Sequence, residues 1–81
     1  PMAEVHLLMV PKQHVASLND LGDEHDALLA HMMKTLPGLA KAQGLDDGFR
    51  TIINTGKGGG QVVFHLHLHL LGGRQMGWPP G

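Results

Sequence analysis

The stretch Phe64-His65-Leu66-His67-Leu68-His69-Leu70 decides how this chain is read. In an extended strand successive side chains point to opposite faces, so His65, His67 and His69 share one face. Phe64, Leu66, Leu68 and Leu70 take the other, which is the expected core face. Three imidazoles then look away from the core, into a cleft or solvent. Packing alone gives no reason to place histidine three times running, yet three of the chain's seven histidines fall within five positions. Strict alternation predicts a strand over Val62–Leu71, ended by Gly72-Gly73 and followed by an extended, proline-bounded tail, Arg74–Gly81.

Working outward, Val5–Val10 is a short apolar run broken only by His6, and Pro11 ends it, as expected of a buried strand. Pro11–Asn19 reads as a loop. From Leu21 to about Gln43 the residues Leu28, Leu29, Met32, Met33, Leu36, Leu39 and Ala40 recur at helical spacing, with Gly44 as the stop. That Met and Leu stripe is core packing. Pro37, inside the helix, removes one backbone bond and is expected to kink it. Asp46-Asp47-Gly48 is a turn, Phe49–Asn54 a second strand, and Gly56–Gly60 a glycine-rich loop. The order strand, helix, strand, glycine loop, strand predicts an α+β domain with one long helix and a mostly antiparallel sheet.

Composition removes several function classes. Six basic residues against seven acidic ones give a formal net charge of −1, without the basic excess of a nucleic-acid-binding surface. No apolar run approaches the roughly 20 residues that span a bilayer. With no membrane segment and no signal peptide visible, a cytoplasmic location is the default expectation. The chain has no cysteine, hence no disulfide and no thiolate zinc site. Small domains usually need a staple, which leaves self-association or a histidine-held metal.

Two chemistries fit the alternating histidines. The first is a metal site. Neighbouring histidines on one strand face lie about 6.5 Å apart and the outer pair about 13 Å. Two adjacent ones could reach one zinc, but the third ligand would have to come from elsewhere, such as His6 or His14. The second is phosphoryl chemistry, in which one imidazole is the nucleophile and its neighbours move protons or hold phosphate. Gly58-Gly59-Gly60-Gln61 immediately precedes the strand, and glycine-rich turns form anion-binding concavities. That adjacency favours phosphate.

His65-Leu66-His67-Leu68-His69-Leu70-Leu71 resembles the histidine-triad (HIT) signature. The preceding Gly-Gly-Gln, the following Gly-Gly-Arg-Gln-Met-Gly-Trp-Pro-Pro-Gly, the run Val5–Lys12 and Asn54 resemble the Hint branch, the purine nucleoside phosphoramidate hydrolases. The similarity covers essentially the whole chain. It implies a HIT-like fold, half of a dimeric α+β assembly, whose pocket takes a purine nucleotide such as AMP or GMP. By the resemblance His67 attacks phosphorus and forms a nucleotidyl-histidine that water later cleaves. His69 contacts phosphate oxygens, while His65 and His6 support the proton network. Asn54 and Gln61 hold phosphate oxygens, the Gly60 backbone permits their close approach, and Trp78 belongs to a tail reaching toward the partner's pocket. The resemblance implies no metal and no cofactor. Dinucleoside polyphosphate hydrolysis, and a nucleotide-binding or scaffolding dimer with little turnover, are the alternatives.

Two departures stand out. Val62 occupies a position where several Hint-like proteins carry a serine near the leaving group. The family domain also begins with a segment of a few dozen residues, a hairpin and a helix, which supplies much of the base and ribose pocket. Residues 1–81 are therefore expected to be the C-terminal portion of a HIT domain. His14, His25 and His31 have no motif support and are expected on the surface or a helix face. Lys57 is expected to be an ordinary exposed loop lysine.

Overall fold

The computed structural model describes residues 5–80; Gly81, the end of the expected tail, and the N-terminal Pro1 lie outside them. The described residues form three strands and one α-helix, the α+β arrangement expected. Strand β1 is Val5–Met9, helix α1 is Asp26–Ala42, β2 is Arg50–Ile52 and β3 is Leu68–Gly72. The sheet order is β1-β3-β2, with β3 antiparallel to both neighbours.

Register decides which residues share a face. Val5 pairs with Gly72, Leu7 with Leu70 and Met9 with Leu68, and Thr51 pairs with Leu70 from the other side. These pairs lie under α1. One cluster joins Met32 and Leu36 of the helix to Leu68, with Met9, Leu28 and Ile53 against it. A second joins Ala40, Leu45 and Leu70, with Val5, Leu7 and Leu39. The opposite face carries His6 beside Leu71 and Arg50, and Leu8 beside His69 and Ile52. Leu8 there is 60 % exposed.

The helix starts five residues later than its apolar periodicity suggested. Gly22 is extended (φ −130°, ψ −175°), and its N–H donates to His25 Nδ1 at 2.9 Å. A short 3-10 turn, Asp23–His25, takes the place of the first helical turn, and another, Leu18–Asp20, precedes it. His25 is accordingly buried, not a surface histidine. At the other end Gly44 adopts φ +76°, where its N–H meets Lys41 O and the next N–H, of Leu45, meets Ala40 O at 2.9 Å. This αL cap closes the helix and turns Leu45 into the core. The helix runs unbroken through Pro37 and Gly38, both of which face solvent. No described helix is long and apolar enough to cross a membrane.

Of the predicted Val62–Leu71 strand, only Leu68–Leu71 is in the sheet. The ladder with β1 ends at Met9–Leu68 and that with β2 at Ile52–His69, so residues 62–67 have no strand beside them. Pro11, which stops β1, is the physical cause on one side. Alternation of burial nevertheless persists through Leu66, which is 1 % exposed, and stops at Phe64. Phe64 was assigned to the core face but is 52 % exposed.

Candidate active site

The unpaired stretch 61–67 is held by a loop rather than a strand. Residues 11–17 cross it and supply its partners. Leu66 N–H donates to Val15 O at 2.6 Å, His65 Nε2–H to Pro11 O at 2.9 Å and Gln61 Nε2–H to Ala16 O at 2.7 Å. His65 and His67 thus sit on this strapped segment, whereas His69 sits on β3.

Hydrogen bonding determines what each imidazole can do. His67 Nδ1 lies 2.7 Å from His65 O. A carbonyl oxygen only accepts, so Nδ1 carries the hydrogen and the lone pair of neutral His67 is on Nε2. Because the His65 carbonyl lies outside both ladders, it is available to accept that bond. His6 Nε2 and His69 Nδ1 are 2.8 Å apart, which requires one of them to donate. The His6 and His69 rings have centroids 5.1 Å apart, as do those of His67 and His69. His6, His67 and His69 therefore form one continuous group. Desolvation by burial, then the neighbouring His67 and His6, holds His69 below the ordinary histidine pKa. His69 is thereby favoured as a neutral imidazole. His65 has separate partners, Pro11 and His14, whose ring stands edge-on to it at 5.0 Å and 90°.

The glycine loop departs from the expectation in two respects. Gly59 N–H bonds Gly56 O, Gly60 N–H bonds Lys57 O and Gln61 N–H bonds Gly56 O, so these three amides point into the loop and form no anion cradle. Gln61 itself is 3 % exposed. Its Oε1 accepts from Gly56 N–H, and its Nε2 donates both to Ala16 O and to Val63 O. With both amide hydrogens committed to the backbone, the side chain has no donor left for phosphate.

Asn54 Nδ2 donates to Gly59 O at 2.8 Å, which uses one of its two amide hydrogens. Gly60, at φ +85°, lies against it, so that a Cβ there would stand 3.5 Å from Asn54 Nδ2. Asn54 and Gly60 are thus brought together. Trp78 is 85 % exposed, on a tail tied to β2 by Arg50 Nη2–H donating to Gly77 O at 2.7 Å. Val62 is also exposed. Lys57 is exposed at the loop tip, as expected, and so is His31 on the helix. Among the described residues no three His, Cys, Asp or Glu side chains are disposed to hold a metal ion. A cleft of about 660 Å³ lies away from the histidines, bounded by Leu45, Phe49, Arg50 and Arg74. The chemistry-bearing groups are not in it.

Sequence reasoning missed the 11–17 strap, and it named His14 only as a possible zinc ligand. The only signal was the loop's position directly after a proline-terminated strand.

The arrangement has close counterparts. An uncharacterized HIT-like protein of Synechococcus elongatus is 54 % identical over 81 residues, all of this chain and 71 % of the relative. Protein HitA of Neisseria gonorrhoeae is 58 % identical over 72 residues, 89 % of this chain and 67 % of the relative. The crystal structure of a HIT family hydrolase from Legionella pneumophila superposes with a TM-score of 0.95 at 52 % identity, covering all of this chain and 73 % of that one. The HIT domain model itself matches residues 1–76. With a family model matching nearly its whole length and a histidine constellation of the kind the family is named for, this chain belongs to the HIT domain family.

Proposed function

We propose that the protein hydrolyses the P–N bond of purine nucleoside 5′-phosphoramidates through a covalent nucleotidyl-histidine on His67. The observation that carries this reading is the bond from His67 Nδ1–H to His65 O. It leaves the lone pair on Nε2 and stabilises the positive charge that the ring gains when it attacks. Nε2 bonds to phosphorus as the P–N bond breaks. The amine leaves with that electron pair and takes up a proton, for which the bonded His6–His69 pair is the nearby relay. Water then attacks phosphorus, gives up a proton and frees His67 and the nucleoside monophosphate. His69 contacts the phosphate oxygens, and Asn54 with Gly60 flanks them.

Gln61 is excluded from direct phosphate contact on this reading and instead shapes the loop. A second copy completes the assembly, and the exposed Trp78 tail reaches toward it.

The test is His67→Ala in the full-length protein with an adenosine phosphoramidate. Loss of a covalent nucleophile should cut turnover by about 10³-fold or more. A nucleotidyl mass adduct on the wild-type protein should vanish in the variant. Undiminished turnover, or faster cleavage of a dinucleoside polyphosphate by the wild type, overturns the proposal.

A further inference from the structure

His65 and His67 are fixed from outside the sheet, and one contributor to that fixation carries no role in the chemistry described so far. His14 stands edge-on to His65 with ring centroids 5.0 Å apart at 90°. This is the favoured geometry for two rings with a positive edge and a negative face. Two residues of one loop thus grip His65. Pro11 O takes its Nε2–H at 2.9 Å, and the His14 ring packs edge-on against its plane. The His65 peptide oxygen is in turn the acceptor that orients His67. No strand pairing holds residues 65–67, so the orientation of that carbonyl depends on these loop contacts and on the Leu66 N–H to Val15 O bond.

We propose that His14 is a positioning residue: through His65 it holds the carbonyl that keeps the His67 Nδ1 protonated and its lone pair on Nε2. His14 does not touch the reacting atoms in this role. Its contribution is to narrow the range of His67 orientations, which bears on the chemical step more than on substrate binding. The kinetic consequence rests on His67 being the nucleophile. The structural consequence does not.

The experiment compares wild type, His14→Ala and His14→Phe in the full-length protein. His14 is exposed, so both variants should keep the wild-type thermal midpoint. Ring ¹⁵N spectra report the tautomer of each histidine without any substrate. In His14→Ala the His67 signals should move toward an averaged pattern, with His65 moving too, while the aromatic ring of His14→Phe restores them. With adenosine phosphoramidate, His14→Ala should lower kcat about tenfold with KM within about twofold, and His14→Phe should recover most of the loss. Unchanged His65 and His67 spectra in His14→Ala overturn the inference, whatever the kinetics. An equal loss in both variants overturns it as well, since a ring at this position would not then be what matters. A wild-type protein inert toward the phosphoramidate would defeat the substrate reading, and the spectra would still decide the role of His14.

Discussion

The two halves of the histidine run are held by different means. Leu68–Gly72 lies between two strands, with ladder partners on both sides for most of its length and α1 across one face. Residues 61–67 have the same alternation of burial up to Leu66 but no strand beside them, and depend on the 11–17 strap. The contrast explains how His67 is prepared. A carbonyl inside a ladder is engaged by a neighbouring strand, whereas the His65 carbonyl, just outside, is left to bond the His67 side chain. Catalytic groups placed where a sheet stops gain backbone atoms as partners, at the cost of needing something else to hold the segment still.

Hydrogen exchange can break this comparison outright. Leu70 and the other β3 amides should exchange only by global unfolding, and Leu66 N–H by a smaller local opening. Equal protection would mean that the strap is as firm as the sheet.

Among substitutions, Leu68→Ala should have the largest effect. Leu68 is fully buried between β1 and α1, and its truncation should cost about 2–5 kcal/mol in urea unfolding, a large share of a small domain's stability. Gln61→Ala should cost less, about 1–3 kcal/mol, because three backbone groups lose their partner. Gln61→Glu should do worse than Ala at neutral pH, since it turns a carboxylate toward two carbonyls. A Gln61 acting on phosphate would show the reverse, a raised KM with stability unchanged. The smallest effect concerns His69. Its folded-state pKa is lowered from 6.5, so the unfolded chain binds more protons than the native one just below that value. The stability held above pH 6.5 is therefore lost as pH falls through this window to the folded pKa. His69→Gln should flatten that part of a plot of thermal midpoint against pH.

Much of this was legible in the chain itself. Alternation at 66, 68 and 70 named the buried residues of β3, because period-two burial needs only one covered face. Apolar spacing located α1, and Gly44 its end. Phe64, the late helix start and the role of Gln61 were not legible. Phe64 continues the pattern past the point where any layer covers it. Leu21 fits a helical stripe, but Gly22 is drawn into a bond with His25 that no spacing reveals. Gln61 looks like a ligand-binding amide in sequence, because a carboxamide offers the same atoms to a phosphate as to a backbone.

What the sequence determined by itself is the family, the α+β class, and the placing of three imidazoles on one side of a chain whose other side is apolar. The class and the shared face follow from local periodicity and residue chemistry, and the family from the resemblance of the histidine run and its flanks to the HIT signature. Only the tertiary structure decided which imidazole has a free Nε2, which two bond each other and which is gripped by a loop. Those outcomes depend on hydrogen bonds between residues as far apart as His6 and His69, or Pro11 and His65, and no local pattern encodes such long-range partners.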